Sequence, residues 1–374
     1  SGPLGTPDNR TRLEAAPRTA SEPSADPAAP RGPLSRFTSL EAGPASSPAQ
    51  SKRIEPLEPV RAESLVAAED RIDVVGRDGR WPFNQGRLLQ SLYPTGLEPD
   101  QVLEVVFEIE WTLRQRDLHE VTRDQLRAMV HEVVERQYGA DYASRYRVWR
   151  TFQNQDTRPL ILLLGGTSGV GKSSLAIEVA RRLSIARVLS TDAIRDVMRV
   201  MISEEFVPTL HVSSFEAHQK LVTAVAPGLD AIVEGFLEQS RTVSVGVRAV
   251  IERAVVEGTN TVIDGVSLVP GLYDLAGWAD RAHVVLMLAA DEDLESLRAH
   301  IVARAHGRGA RTSERYLRSF NEIVRIQEAL LERARTFGVE VIDVRDLEQA
   351  VRHVVSHVVT GLAATHEARA TGLD

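Results

Sequence analysis

The chain has 374 residues, a formal net charge of −8 and no cysteine. Without cysteine there are no disulfides, thiolate metal sites or cysteine nucleophiles, and the acidic balance argues against nucleic acid or an anionic membrane as the main partner. No run of 18 apolar residues occurs and the N-terminus has no secretory apolar core, so the expectation is a cytoplasmic protein with no membrane span.

Residues 1–70 are rich in Pro, Ala, Ser, Gly and Arg with scarcely an aromatic side chain. Such a segment cannot bury enough apolar surface to offset its ordering entropy and is expected to be disordered. Order is expected from residue 71. Arg71 to Val75 reads as a short strand and Arg77-Asp78-Gly79-Arg80 as a turn. Leu88, Leu89 and Leu92 then share one helical face, and Val102, Val105, Val106, Ile109 and Leu113 line a second helix. Val121 to Tyr138 reads as a third helix capped near Thr122, with Leu126, Met129, Val130, Val133 and Val134 inward, and Tyr142 to Trp149 extends the bundle. Residues 71–150 are thus expected to form a small, mostly helical domain.

Residues 151–374 read as α/β. Leu160 to Leu164 is a continuous apolar run that leads into Gly165-Gly166-Thr167-Ser168-Gly169-Val170-Gly171-Lys172-Ser173-Ser174 and then a helical pattern to Leu183. This is G-x-x-x-x-G-K-S at a strand-to-helix junction, where backbone N–H groups converge on phosphate oxygens. Gly166 through Ser174 are therefore the candidate nucleoside-triphosphate-binding residues. Lys172 would reach the β- and γ-phosphates, and the Ser173 hydroxyl would ligate Mg²⁺. Lysine otherwise occurs only at 52 and 220 in a chain that uses arginine for positive charge.

Ala186 to Ser190 is a second strand that delivers Thr191-Asp192 to its C-terminal end, where open α/β sheets bind ligands. A helix from Ala193 to Val200 carries Arg195 and Arg199 on one face. Leu229, Ile232, Val233, Phe236 and Leu237 are spaced as a helical stripe, which places Glu234 on a helix. Thr261 to Val266 is β-branched and strand-like, so Asp264 is the acid expected beside Mg²⁺. Val284 to Leu288 and Val339 to Asp343 are further strands. Helical patterns cover Asp291 to Ala305, Thr312 to Phe337 and Leu347 to Val359. Alternating strands and helices imply a parallel sheet with helices on both faces, a P-loop kinase fold.

Three features favour phosphoryl transfer to a small anionic metabolite. No guanine-reading Asn-Lys-x-Asp motif occurs. Asp192 is placed to orient or deprotonate an acceptor hydroxyl, with Arg195 and Arg199 for its anionic groups. Arg304, Arg308, Arg311 and Arg315 fall between two helices, as in a lid that closes over phosphates, and Arg304 and Arg308 are taken as catalytic. His211, His218 and His283 have no metal-ligand spacing.

Residues 75–97, VGRDGRWPFNQGRLLQSLYPTGL, resemble the opening of the ATP-cone, a regulatory adenine-nucleotide-binding domain. The resemblance implies a regulatory nucleotide near Arg77, although cones often have lysine where this chain has Gly76. Four later blocks, GGTSGVGKSSLA, LSTDAIRDVMR, EGTNTVIDGVSLVPG and RYLRSFNEIVRIQEALLERA, resemble in order those of the 2-phosphoglycerate kinase family, which also has a cone-like domain ahead of its kinase domain. That resemblance implies transfer of the ATP γ-phosphoryl to the 3-hydroxyl of 2-phosphoglycerate. Asp264 stands where the family more often has Glu. Alternative readings are a kinase of another phosphorylated acid or polyol, or a non-catalytic nucleotide sensor. Self-association is left open.

Overall fold

A computed structural model describes residues 71–77, 79–308 and 310–370, and the side chains among them except those of 303–313 and 366–370. The expected disordered tail, residues 1–70, lies outside these. The N-terminal body opens with a hairpin of β1 (Asp73–Gly76) and β2 (Gly79–Pro82), in which Val75 faces Arg80. A third strand, β3 (Glu120–Thr122), runs parallel to β1. The periodicity of Val121 to Tyr138 concealed it, because three residues are too few to show alternation.

Four helices pack on this small sheet. α1 (Gln85–Leu92) is capped by Asn84, whose side chain accepts from Arg87 N at 3.0 Å. α2 (Pro99–Gln115) starts on a proline whose missing N–H would have been unpaired anyway. α3 (Arg123–Tyr138) starts at a Thr122–Gln125 capping box. α4 (Ala140–Gln155) is longer than the 142–149 expected and serves two cores. Its Ala143 and Tyr146 close on Leu88, Leu92, Val102, Val106 and Val130, whereas its Trp149 and Phe152 belong to the core of the C-terminal body.

In the C-terminal body, β4 (Leu160–Gly165), β5 (Arg187–Ser190), β6 (Thr261–Gly265), β7 (His283–Ala290) and β8 (Glu340–Asp343) form one parallel sheet in the order β5-β6-β4-β7-β8. β4 lies at the centre and is buried on both faces, which is why it reads as an unbroken apolar run. Leu160, Leu162 and Leu164 point to a core shared with α5 (Lys172–Arg182), α10 (Phe320–Phe337) and α11 (Leu347–Ala370). Ile161 and Leu163 point the other way, to a core shared with α7 (Ala231–Glu257). Helices therefore cover both faces, as expected. α6 (Thr191–Met201) follows β5, and α8 (Leu294–Arg308) follows β7. The single helix expected over Thr312 to Phe337 is instead α9 (Ala310–Arg318) and α10, parted at Ser319.

Two polar assemblies brace this arrangement. Below β4 and β7, Asp156 accepts from Arg158 N (2.9 Å), Nε (3.2 Å) and Nη2 (3.0 Å) and pairs with His283 Nε2 at 2.7 Å. Burial alone would raise the Asp156 carboxyl, but the bonds from Arg158 and His283 outweigh it and hold the group well below the usual carboxylate range. At the C-terminal end of α5, Gln90 of α1 donates to Arg181 O (2.7 Å) and Ser184 Oγ (2.8 Å). The guanidiniums of Arg181 and Arg182 lie over the Tyr93 ring at 5.0 and 5.1 Å, and Arg182 reaches Glu348 of α11 at 2.6 Å. The helix that begins at the phosphate loop is thus gripped at its far end by the N-terminal body.

Candidate active site

The loop from Gly166 to Gly171 joins β4 to α5 over the C-terminal edge of the sheet. Gly166 has φ +145°, and a Cβ there would stand 2.4 Å from Ala289 O, so only glycine lets the loop cross the end of β7. Thr167 Oγ1 donates to Ile323 O of α10 at 3.3 Å, which ties the loop to that helix. Lys172, the first residue of α5, is buried, and its Nζ donates to Thr167 O at 3.4 Å. Its ammonium is thereby folded back over the loop, at the N-terminus and so the positive dipole end of α5. The lysine charge and a helix N-terminus thus converge on one spot, as a polyphosphate requires.

Asp264 is next to the last residue of β6 and lies opposite Leu164 on one side and Ser190 on the other. It is 4% exposed, and Ser173 Oγ donates to its Oδ2 at 2.6 Å. A hydroxyl and a carboxylate held together beside a phosphate loop are hard oxygen donors of the kind Mg²⁺ takes, with phosphates and waters completing its octahedron. Among the described residues no group of three or more His, Asp or Glu side chains is arranged to hold a metal by itself.

The joint between β5 and α6 lies at the same edge of the sheet, beside the end of β6. Ser190 caps α6 by accepting from Ala193 N at 3.1 Å. Gly265 has φ +153°, and a Cβ there would meet Thr191 Oγ1 at 1.8 Å, so the end of β6 and the start of α6 touch. Asp192 stands in the first turn of α6 with its side chain 62% exposed above this junction. Arg195 follows one turn later, 4.0 Å from Asp192 Oδ1, and donates to Val212 O at 3.0 Å. Arg199 is a turn further out, half-exposed and paired with Asp196 at 3.5 Å. The fold therefore brings Lys172, Ser173, Asp264 and the start of α6 to one edge, with Arg199 more distant from it.

Of the four arginines expected in a lid, Arg315 is engaged with Glu216, with Nε at 2.7 Å from Oε1, and lies over the Phe215 ring at 5.8 Å. The side chains of Arg304, Arg308 and Arg311 lie outside the described residues.

Two features were not singled out from sequence. A cavity of about 280 Å³ beside the phosphate loop is lined by Gly169, Ser173, Ser174, His300, Arg345 and Leu347. It brings α8 and the β8–α11 turn beside the phosphate loop. The only sequence signal was an Asp-Val-Arg at the end of the last strand, where ligands of open sheets gather. The second is a cavity of about 490 Å³ in the N-terminal body, walled by Trp81, Phe83, Arg87, Arg123, Arg127 and Arg150 among others. Arg123 stacks over Trp81 at 5.1 Å, and its Cζ lies 3.1 Å from where a Cβ of Gly76 would stand. The space that a side chain at position 76 would enter thus holds a guanidinium. Burial depresses the Arg150 guanidinium, as do the charges of Arg127 and Arg123, against an opposing pull from Tyr146. Arg77 is exposed in the β1–β2 turn and does not line this cavity.

A phosphate loop whose serine is bonded to the acid of the neighbouring parallel strand defines a P-loop nucleotide-binding protein. The ATP cone domain family matches residues 72–155. The 2-phosphoglycerate kinase of Methanopyrus kandleri is 35% identical over 289 residues, which cover 77% of this chain and 87% of that protein. The enzymes of the same name from Pyrococcus horikoshii and Methanothermobacter thermautotrophicus are each 36% identical, over 74% and 76% of this chain and 89% and 92% of their own. The chain belongs to the 2-phosphoglycerate kinase family.

Proposed function

We propose that the chain transfers the γ-phosphoryl group of ATP to the 3-hydroxyl of 2-phosphoglycerate, giving ADP and 2,3-bisphosphoglycerate. The observation that carries the proposal is the buried Asp264–Ser173 pair behind the loop, set against the open first turn of α6. The loop amides and Lys172 hold the β- and γ-phosphates, and Ser173 and Asp264 hold Mg²⁺ and its waters. When bound, the metal neutralises charge on the β- and γ-oxygens. Asp192 orients the acceptor hydroxyl and takes its proton as the new O–P bond forms and the β–γ bridge breaks. Arg195 and Arg199 draw in the phosphate and carboxylate of the acceptor, and Arg304 and Arg308 close over the transferring group. Catalysis is then positioning and charge stabilisation, with little covalent work for the protein.

We propose as well that the arginine-walled cavity of the cone takes an adenine nucleotide as effector, with Arg123, rather than Arg77 of the turn, supplying charge beside Gly76. The partner of the bound ATP is a small anionic metabolite, and neither nucleic acid nor membrane has a part in the reaction.

Initial rates of ADP release with ATP and Mg²⁺ test the reading. 2-Phosphoglycerate should stimulate release well above the acceptor-free rate, and Lys172→Ala should abolish it. Turnover of a different phosphorylated acid or polyol with 2-phosphoglycerate inert would overturn the acceptor alone. No acceptor-dependent release across such a panel would overturn the kinase and favour a sensor.

A further inference from the structure

α2 buries Val102, Val105, Val106, Ile109 and Leu113 in the core of the N-terminal body, yet its opposite face is also apolar. Leu103, Phe107 and Trp111 are 38%, 57% and 63% exposed and recur every four residues. At about 100° per residue they lie within roughly 40° of one another's neighbour on a single stripe. A surface helix ordinarily gives this face to charge.

The charged side chains that flank the stripe are turned away from it. On one side the Tyr138 hydroxyl donates to Glu104 at 2.6 Å, and Arg136 and Gln137 of α3 both donate to Glu108. On the other side Gln85 of α1 and Arg114 hold Glu110, the latter at 2.8 Å. Burial would raise the Glu110 carboxyl, but the bonds from Arg114 and Gln85 bring it below its ordinary value. The result is an apolar strip inside a polar rim whose groups are already satisfied, which is the anatomy of a protein interface.

The stripe is also symmetric about Phe107. Leu103 and Trp111 stand four residues to either side of it, and Asp100 and Arg114 seven to either side. We infer that this face binds a second copy of the chain, with the two α2 helices antiparallel and Phe107 on the two-fold axis. Leu103 then packs on the partner's Trp111, and Asp100 faces the partner's Arg114, so acid meets base at both ends. Antiparallel helices also set opposite dipole ends together. Glu104 falls opposite the partner's Glu110 at the rim, where the bonds from Tyr138, Gln85 and Arg114 already draw both carboxylates sideways. An isologous contact closes on itself as a dimer and leaves no stripe over for a filament.

Light scattering after gel filtration, together with a single introduced thiol, tests the inference. Wild type should elute at twice the 41.1 kDa mass of one chain, and Phe107→Glu should run at once that mass with an unchanged circular-dichroism spectrum. Because the chain has no cysteine, Phe107→Cys carries the sole thiol and should form a disulfide-linked dimer on mild oxidation. Val256→Cys, on an exposed site of α7, should not. A wild-type monomer would overturn the inference, including one whose stripe proves to be covered by residues 1–70. So would a dimer that survives Phe107→Glu or that cross-links equally well through position 256.

Discussion

Asp264→Asn separates catalysis from stability at the centre of the site. The carboxylate is 4% exposed, and among the described residues Ser173 Oγ, at 2.6 Å, is the side-chain donor that reaches it. Asparagine keeps the shape and can still accept that bond, but it removes a fixed negative charge aimed at the metal side of the loop. Removing one preorganised electrostatic group of this kind costs about 3–4 kcal/mol in the transition state, or roughly 10²–10³ in kcat. The effect on the unliganded fold has the opposite sign. An ionised carboxylate offers about four acceptor positions, and burying it with few of them filled is costly. The amide therefore leaves the nucleotide-free melting temperature unchanged or raises it slightly. A coupled assay for ADP and thermal melts without nucleotide read the two effects on one preparation. A kcat within tenfold of wild type would refute the role given to Asp264, and a large drop in melting temperature would show that its charge serves the fold instead.

Asp156→Asn should do the reverse and cost stability. It strips the anion from buried Arg158 and His283, whose side chains are 7% and 6% exposed, and breaking such a buried pair costs about 3–5 kcal/mol. Since the folded Asp156 carboxyl sits below its unfolded value, its contribution is fully present above about pH 4 and fades as pH falls through the folded value. Urea midpoints should thus differ widely at pH 7 and converge in acid; equal midpoints at pH 7 would refute the cluster's role. In the cone, Arg123→Ser removes the guanidinium that fills the Gly76 space and stacks on Trp81. Calorimetry with ATP should then show one fewer nucleotide per chain or at least a tenfold weaker second site, consistent with a charged hydrogen bond of about 1.5–3 kcal/mol. Unchanged stoichiometry and affinity would leave the cavity without that ligand.

Much of this architecture was legible because single residues report buried geometry. The run Leu160 to Leu164 could be read as a central strand because both its faces are covered, and Asp264 could be separated from Glu234 by β-branched against helical spacing. Capping chemistry likewise put the start of α3 at Thr122. What escaped reading was set by contacts distant in sequence. β3 is too short to carry a period and exists because β1 offers it an edge. The break at Ser319 has no proline or glycine to announce it. The cone cavity assembles arginines from α1, α3 and α4, and no local pattern shows that Arg123 enters the space of Gly76. The turn at Arg345 meets the phosphate loop only because β8 lies two strands from β4.

The transfer itself is tested most directly by ³¹P NMR of the product formed from ATP, Mg²⁺ and 2-phosphoglycerate. The account predicts that the ATP γ-resonance is lost in step with the appearance of two phosphomonoester signals from one molecule, with phosphate on both the 2- and 3-oxygens of glycerate. Recovery of free inorganic phosphate with 2-phosphoglycerate unchanged would contradict it.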